Sequence, residues 1–567
     1  MTWKLKKKVR ETLSREKGAV CKEPGGRVRV CLVYPNTYSL GMTNLGFQAV
    51  YHMLNATDAC VAERAFLPGR DDIAELERTA TPLFSYESQS PLKDFDIVAF
   101  SVPFEDDYVN VPRILTLAGV PVFSGQRTEG PLVIAGGVAV SLNPEPVADL
   151  FDLFLIGEGE GAVEPVIEAY GKAREAGLSK EGVLKSLDGL SWVYVPSFYG
   201  FSYDGARIKG IEAREGAKKI VKAAKRFDLG AYPLPENFIL TPLSEFKDTS
   251  LIEIERGCPR GCRFCAAGFL YLPPRWRDFN SVSESVRKGI EATGKAGLVG
   301  TAVSEYPEIK EVLKLGVEMK GAITLSSLRL DRLDAEFVEL LKKSGYKTVT
   351  LAPEAGSERM RRVVNKGMTD EEILEAVRLI TGAGFLKIKL YFIVGLPGEE
   401  DSDAAAIVDL SKRIKGEMEK GALALSVNPF VPKPFTPFQW HRFEKAEVVD
   451  RRLSIIEKGL KGLKGVSVKT LSAREAFAQA YISRADRRAG RFIVAASEKG
   501  WRRVIKENPG FFEDSVYTVK GKDELLPWDI IDHGVRKSYL WKEYRKGLEG
   551  GLTPPCVPGA CTRCGVC

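Results

Sequence analysis

The sequence predicts an α/β protein with two successive parallel-sheet regions and a cysteine-rich segment after them. Short apolar runs alternate with helical stretches over residues 27–195 and again over 246–470. Continuous apolar strands between helices are typical of buried parallel sheets. The 567 residues exceed what a single hydrophobic core usually organises, so several domains are expected. The ten cysteines are unevenly distributed, with three at 258–265 and four at 556–567.

The first alternating region begins after a basic stretch, residues 1–26, which is predicted to form a helix with a solvated lysine face. Strands are predicted at 27–35, 60–67, 96–103, 131–137 and 153–157, and a helix at 45–55. Five strand–helix units of this kind predict a flavodoxin-like doubly wound domain over residues 27–195.

The second alternating region follows a linker, residues 196–245, in which a hairpin is predicted around 201–206. Its strands are predicted at 251–256, 298–303, 322–328, 348–352, 386–394 and 422–428. Thr369 and Asp334 stand where helix N-caps are expected. Six strand–helix units predict a partial (β/α)6 barrel over 246–470, with its site in loops at the carboxyl ends of the strands. The remainder, 471–567, is predicted to be helical and to end in the second cysteine cluster.

Composition restricts the classes of protein only weakly. The formal charge of +7, from 82 basic and 75 acidic residues, is compatible with a nucleic-acid partner but does not indicate one. The first 18 residues lack the apolar core of a signal peptide, and no run approaches the ~18 apolar residues of a membrane span. We therefore expect a cytoplasmic protein with reduced thiols.

Three cysteines directly after the first strand of the second region form the sharpest motif. Cys258, Cys262 and Cys265 have C-x3-C-x2-C spacing, and thiolates are the usual ligands of iron–sulfur clusters. Three of them can hold three irons of a cubane and leave the fourth iron open. Zinc sites usually have four protein ligands, and the nearest histidine in the sequence is His441. The spacing therefore predicts a [4Fe–4S] cluster.

This loop, and its place after the first strand, resemble those of the radical S-adenosylmethionine (radical SAM) superfamily. The resemblance implies that SAM binds the open iron through its amino and carboxylate groups. One electron, from a donor such as flavodoxin or ferredoxin, then cleaves a C–S bond and produces a 5′-deoxyadenosyl radical. The substrate is not indicated by the sequence.

Further motifs match the SAM-binding positions of that superfamily. Phe264 occupies the aromatic position whose backbone contacts adenine. The segment that contains Glu354, Ser357 and Arg359 resembles the fourth-strand motif, and these side chains are candidate SAM contacts. Gly395 lies in a loop similar to the one near adenine. A structural ion pair is the alternative for Glu354 and Arg359. Residues 299–304 depart from the Gly-Gly-Glu that is common after the second strand.

A doubly wound domain before a radical SAM barrel resembles the cobalamin-binding class of these enzymes. The D-x-H-x-x-G fingerprint of cobalamin is here represented by Asn36, Tyr38 and Gly41, so any bound cobalamin would lack a lower histidine ligand. Other matches at strand ends are Ser101, Gly136, Gly137 and Glu158. A purely architectural domain is the alternative.

A methylthiotransferase would need three cysteines in the first domain to hold a second cluster. Cys21, Cys31 and Cys60 lack that spacing and are predicted to be small buried hydrophobic residues. The other cysteine cluster comprises Cys556, Cys561, Cys564 and Cys567. Four thiolates suit either an auxiliary iron–sulfur cluster or tetrahedral zinc, and both remain open.

Phrases along the chain, such as YPNTYSLGMTNLG and CTRCGVC, resemble one uncharacterised radical SAM family. The most concrete expectation is methyl transfer to an unactivated carbon through methylcobalamin. One alternative is another radical modification, such as methylthiolation, of an RNA or a protein. An alternative of a different class is a non-enzymatic, zinc-bearing binding protein.

Overall fold

The first region folds into a sheet of the flavodoxin type. In this computed structural model, which describes residues 3–326 and 328–567, its strands are β1 Val28–Tyr34, β2 Cys60–Phe66, β3 Ile97–Ser101, β4 Leu132–Gly136, β5 Leu153–Leu155 and β6 Val193–Tyr194. The order is β2-β1-β3-β4-β5-β6, with β1 to β5 parallel and β6 antiparallel to β5. The predicted doubly wound sheet is confirmed, and β6 is an addition that the sequence did not indicate.

Helices follow the strands of this sheet and bury its apolar side chains. They are α1 Trp3–Leu13, α2 Tyr38–Thr43, α3 Leu45–Ala56, α4 Arg70–Arg78, α5 Asn110–Ala118, α6 Val138–Leu142, α7 Val163–Glu175 and α8 Lys180–Asp188. Cys31 and Cys60 are buried on adjacent strands, as predicted. Cys21 is exposed, so its predicted burial was wrong; it lies in irregular chain before β1.

The linker forms the predicted hairpin, β7 Tyr199–Asp204 and β8 Arg207–Ala213. After it, β9 Val221–Lys222 pairs with β19 Ile531–Asp532, more than 300 residues later. The C-terminal region therefore returns to the linker. Strands of two residues leave no pattern in the sequence, so this pairing was not predicted.

The second region contains two parallel sheets. Its strands are β10 Ser250–Glu253, β11 Glu255–Arg256, β12 Arg275–Trp276, β13 Lys295–Val299, β14 Ala322–Leu325, β15 Val349–Glu354, β16 Lys387–Val394, β17 Ala422–Pro429 and β18 Val466–Thr470. One sheet has the order β10-β13-β14 and the other β15-β16-β17-β18. Every predicted strand of the partial barrel has a counterpart, and β18 extends the series.

Two predicted strand boundaries in this region were wrong. The stretch 251–256 is interrupted at Ile254, because β11 leaves the parallel sheet and pairs antiparallel with β12. The stretch 298–303 ends at Val299, since the Ala302 amide donates to the carboxylate of Glu255, 2.5 Å away, and not to a neighbouring strand. The domain boundaries themselves stay predictions.

The remaining helices cover the second region and build the C-terminal part of the fold. They are α9 Ala267–Leu270, α10 Phe279–Thr293, α11 Ile309–Glu318, α12 Ala335–Lys343, α13 Glu358–Val363, α14 Asp370–Gly382, α15 Asp401–Gly416, α16 Ala446–Leu460, α17 Ala473–Arg484, α18 Gly490–Lys499, α19 Trp501–Glu507, α20 Pro509–Tyr517 and α21 Lys537–Leu548. Thr369 and Asp334 are N-caps of α14 and α12, as predicted. In the part of the chain that the structure describes, no helix has the length and apolar character needed to cross a bilayer.

A buried arginine ties the start of the chain to the first sheet. Arg64 on β2 donates to the carboxylates of Glu16 and Glu87, with closest distances of 2.6 Å to each. All three side chains are almost fully buried. Neither carboxylate has access to water, so both depend on this guanidinium for compensation.

We expect Arg64→Met to destabilise the protein by about 3–5 kcal/mol, because it leaves two buried carboxylates without a counter-charge. Urea denaturation monitored by circular dichroism measures the loss. The control is Arg78→Met, which removes an exposed pair with Glu75 and should leave the urea midpoint nearly unchanged. Equal midpoints for the two variants would contradict this account.

Candidate active site

The three-cysteine loop begins directly after β11 and turns sharply. The Cys265 amide donates to the Cys262 carbonyl at 3.0 Å, which closes a tight turn. Gly257 has φ of +90°, and a Cβ there would lie 2.4 Å from the Tyr271 carbonyl oxygen, so only glycine fits. Burial, with a smaller contribution from the neighbouring Cys262, raises the pKa of Cys258 to about 12.

Other parts of the chain hold this loop in place. Arg263 is fully buried and donates to the Val363 carbonyl at 2.9 Å, to the Gly551 carbonyl at 2.6 Å and to Glu543 on α21 at 3.1 Å. The side-chain amide of Asn365 donates to the Arg260 and Gly261 carbonyls at 3.1 and 3.2 Å. The shape of the loop therefore depends on partners distant in sequence.

The donor set of the loop fits an iron–sulfur cluster. Three thiolates on one short loop match the chemistry of Fe–S ligation. Among residues 3–326 and 328–567, no three His, Cys, Asp or Glu side chains are gathered tightly enough to hold a metal ion as they stand. Ligation by Cys258, Cys262 and Cys265 is therefore proposed from the chemistry of the donors and their place in the fold.

Glu255 connects the cysteine loop to the end of β13. Besides the Ala302 amide, its carboxylate contacts the Thr301 hydroxyl at 3.3 Å, and that hydroxyl lies 2.6 Å from the Gly257 carbonyl. Burial raises the pKa of Glu255 to about 7, although the Ala302 and Thr301 hydrogen bonds favour the charged form. The segment 299–304 thus positions the loop from the side.

The predicted SAM contacts on β15 and α13 lie beside the cysteine loop. Burial raises the pKa of the Cys265 thiol most, and Glu354 adds to the increase; the Glu354 carboxylate is 3.4 Å from the Lys366 ammonium. Burial raises the pKa of Glu354 itself. Phe264, on the loop, packs half-buried against the apolar core.

Ser357 and Arg359 are engaged in a structural network. Ser357 caps α13 and donates to the Asp403 carboxylate at 2.5 Å. Arg359 forms an ion pair with Asp403 and donates to the Gly398 carbonyl at 3.0 Å, while its side chain is 51% exposed. Gly395 adopts φ of +82° and donates its amide to Glu399. The geometry agrees with the structural alternative for Arg359, and SAM contacts here stay predictions.

A cavity of about 460 Å³ lies between the two regions. One side is lined by the carboxyl-terminal parts of β3, β4 and β5, by the middle of β1 and by α3; the other side is lined by Glu253, by residues 255–257 and by residues 299–301. Ligands of doubly wound sheets bind at this edge of the strands. The predicted residues in its wall are Ser101, Gly136, Gly137 and Glu158.

The other predicted cobalamin residues lie outside this wall. The Asn36 side chain donates to Asp107 at 2.7 Å. Tyr38 stacks on Tyr86 and donates its hydroxyl to Glu16 at 2.5 Å. Gly41 packs on Phe66, since a Cβ there would lie 2.5 Å from that ring. This segment therefore closes an apolar cluster beside β1 and does not face the cavity.

Ion pairs join the two regions at the rim of the cavity; of their members, the sequence analysis had named only Glu158, as a candidate ligand contact, and it missed the arginines. Arg275 donates to Glu158 at 2.8 Å, and Arg256 donates to Glu160 at 2.7 Å. Arg256 also pairs with Glu253 at 2.8 Å. The partners of the inter-region pairs are about 100 residues apart, so local sequence carried no signal for them.

Family comparisons agree with this architecture. The family described as "Radical SAM proteins, N-terminal" matches residues 46–196, and the "Radical SAM superfamily" matches residues 252–411. The chain belongs to the radical SAM superfamily. As a radical SAM enzyme it uses a [4Fe–4S] cluster and SAM, and the matched stretch 252–411 includes the loop from Cys258 to Cys265.

Relatives of this radical SAM protein include "Uncharacterized protein MJ0966" of Methanocaldococcus jannaschii, 29% identical over 86% of this chain and 96% of the relative. The "Uncharacterized methyltransferase PH0819" of Pyrococcus horikoshii is 24% identical over 50% of this chain and 59% of its own length. A solved structure, the "Cobalamin-dependent S-adenosylmethionine radical enzyme OxsB" with aqua-cobalamin and S-adenosylmethionine bound, is 17% identical with a TM-score of 0.49. The match covers 70% of this chain and 53% of that chain.

We expect Glu255→Gln to change the pH dependence of stability. The carboxyl pKa is about 7 in the folded protein and about 4.3 when unfolded, so the folded state binds more protons between these values. Wild-type stability should therefore fall as pH rises through this window. The free energy of unfolding of the variant, relative to that of wild type, should therefore increase by about 2–3 kcal/mol from pH 5 to pH 8.

Urea midpoints of both proteins at pH 5 and pH 8 measure this difference. Glu129→Gln, at an exposed position, is the control and should follow wild type at both values. A constant offset between wild type and Glu255→Gln at both pH values would contradict a carboxyl that titrates near 7.

Proposed function

We propose that this radical SAM enzyme transfers a methyl group to an unactivated carbon, with cobalamin held in the cavity between its two regions. The observation that carries the proposal is the position of the cavity. It joins the carboxyl ends of the doubly wound strands to Glu255, Arg256 and Gly257, the residues that immediately precede Cys258. A ligand bound there would lie next to the cysteine loop.

The wall of the cavity suits a broad, largely apolar ligand. Apolar side chains from several strands form most of it; they include Val30, Leu32, Ala99, Ile134 and Leu155. Gly136 lies among them in ordinary extended backbone, where other residues are allowed. Within the described chain, a Cβ at Gly136 would meet only Leu155, at 3.8 Å. Neither strain nor crowding requires this glycine, so space for a ligand is a sufficient reason for it.

When bound, cobalamin would supply the methyl group and the cobalt chemistry of its transfer. The apolar side chains of the wall would exclude water from the ligand. The ion pairs of Glu158 with Arg275 and Arg256 would hold the two sides of the cavity together. Glu255 would keep the adjoining loop in register.

One relative supports methyl transfer, and the buried cysteines of the first region argue against methylthiolation. The name "methyltransferase" of the Pyrococcus horikoshii relative supports it. Methylthiolation is less well supported, because Cys31 and Cys60 are buried in β1 and β2 and the Cys60 thiol donates to the Leu54 carbonyl at 2.8 Å. The electron donor, of the flavodoxin or ferredoxin type, is proposed from the superfamily chemistry alone.

We expect Gly136→Leu to weaken cobalamin binding by about 10-fold or more. Adding a branched side chain to a filled site costs about 1–3 kcal/mol, and 1.4 kcal/mol corresponds to a factor of ten. Equilibrium dialysis of the anaerobically reconstituted protein against hydroxocobalamin measures the affinity. The matched control, Gly125→Leu, lies in the same region at an exposed site away from the cavity.

Wild type and Gly125→Leu should retain cobalamin with the absorption spectrum of the form that lacks its lower base. Iron content should be equal in all three proteins, which confirms that the cysteine loop is intact. If Gly136→Leu binds as tightly as Gly125→Leu, or if wild type binds none, the cavity is not a cobalamin site.

A further inference from the structure

The cysteine segment, residues 553–567, lies directly against the outside of the Cys258–Cys265 loop. The Cys556 amide donates to the Pro259 carbonyl at 2.6 Å. Pro259 is the neighbour of Cys258, so one hydrogen bond and one peptide unit separate the two sets of cysteines. Nearly 300 residues lie between them in sequence, and the contact is therefore a property of the fold.

Asn365 joins the loop and the cysteine segment through one side chain. Its amide nitrogen contacts the carbonyls of Arg260, Gly261 and Thr553 at 3.1–3.2 Å. Its amide oxygen accepts the Thr553 backbone N–H at 2.9 Å. The residue adopts φ of +62°, a left-handed conformation that asparagine tolerates better than most residues.

A second shared anchor is the buried pair of Arg263 and Glu543. Arg263 belongs to the loop, and its guanidinium donates to Glu543 and to the carbonyl of Gly551, which precedes the cysteine segment. Glu543 also accepts the Thr553 hydroxyl at 2.9 Å. Movement of the cysteine segment would therefore disturb partners of the loop.

Hydrogen bonds from two arginines hold the turns of the cysteine segment. Arg563 donates to the Cys561 sulfur at 3.2 Å and to the carbonyls of Pro554 and Pro555 at 2.8 Å each. Arg536, which lies just before α21, also contacts the segment: its backbone N–H donates to the Cys564 carbonyl at 2.9 Å. The Arg536 guanidinium donates to the Thr562 and Arg563 carbonyls at 3.1 and 3.0 Å. Both guanidinium groups thus lie near the cysteines, where four thiolates would bring excess negative charge, as outer partners of metal thiolates do.

We propose that the cysteine segment binds a second metal centre, and that this centre clamps the Cys258–Cys265 loop from outside. The ligands are Cys556, Cys561, Cys564 and Cys567. The ligand chemistry is that of a metal that prefers four thiolates, either zinc or an iron–sulfur cluster. Binding releases the thiol protons and draws the sulfurs together. The proposal does not depend on cobalamin or on the reaction that follows SAM cleavage.

Metal analysis of full-length protein, purified anaerobically and reconstituted, tests the site. Cys567 and Cys21 are both exposed, so Cys567→Ser and Cys21→Ser form a matched pair that should leave the fold intact. Wild type and Cys21→Ser should contain the same iron and zinc per chain. Cys567→Ser leaves three thiolates, the number that holds the cluster on the loop, so the deciding variant is Cys561→Ser/Cys567→Ser. With two thiolates left, it should lose either one zinc or about four irons, and this difference identifies the metal.

The clamp is tested by the lifetime of the cluster on the loop. In Cys561→Ser/Cys567→Ser, and in Asn365→Gly, which removes the bridging amide but retains the left-handed backbone, the cluster on the loop should decay about 10-fold faster in air than in Cys21→Ser. The readout is the SAM-dependent change in the electron paramagnetic resonance signal of the reduced cluster. Unchanged metal content in Cys561→Ser/Cys567→Ser would overturn the proposal, and so would unchanged decay in both this variant and Asn365→Gly.

Discussion

The site depends on keeping a loop without regular secondary structure in one shape. The segment from Cys258 to Cys265 is built from turns and bends, and its cysteines cannot themselves define its path. Arg263 does so from within, with its whole guanidinium buried and bonded to α21 and to carbonyls of distant segments. A buried guanidinium is tolerated only when its donors are satisfied, so the loop has one well-defined position.

The same constraint explains how the two regions meet. Arg256 and Arg275 belong to the short antiparallel pair beside the cysteine loop, and their partners Glu158 and Glu160 follow β5 of the first sheet. Such largely buried pairs contribute modest net stability, but leaving one partner alone is costly, so they favour a single relative position. The cavity persists between these anchors, with its apolar floor on one side and Glu255 on the other.

Much of the fold was predictable because its signals are local. Apolar runs gave β1 to β5 and the second series, and the spacing of Cys258, Cys262 and Cys265 gave the central motif. The errors concern interactions between distant residues. The segment that contains Tyr38 resembles the cobalamin fingerprint, yet the Tyr38 ring packs between Phe66 and Tyr86. Strand β13 ends at Val299 because the Ala302 amide donates to the Glu255 carboxylate, and no local pattern in the sequence indicates that. The contact of Cys556 with Pro259 was equally inaccessible.

The most direct test of the central claim, that the loop supports reductive SAM cleavage, is the yield of 5′-deoxyadenosine under anaerobic conditions with a chemical reductant. Wild type and Cys21→Ala should release the product, because Cys21 lies outside both cysteine clusters. Cys262→Ala should release none, since two thiolates cannot retain the cluster. Full cleavage by Cys262→Ala would contradict the assignment of this loop as the catalytic centre.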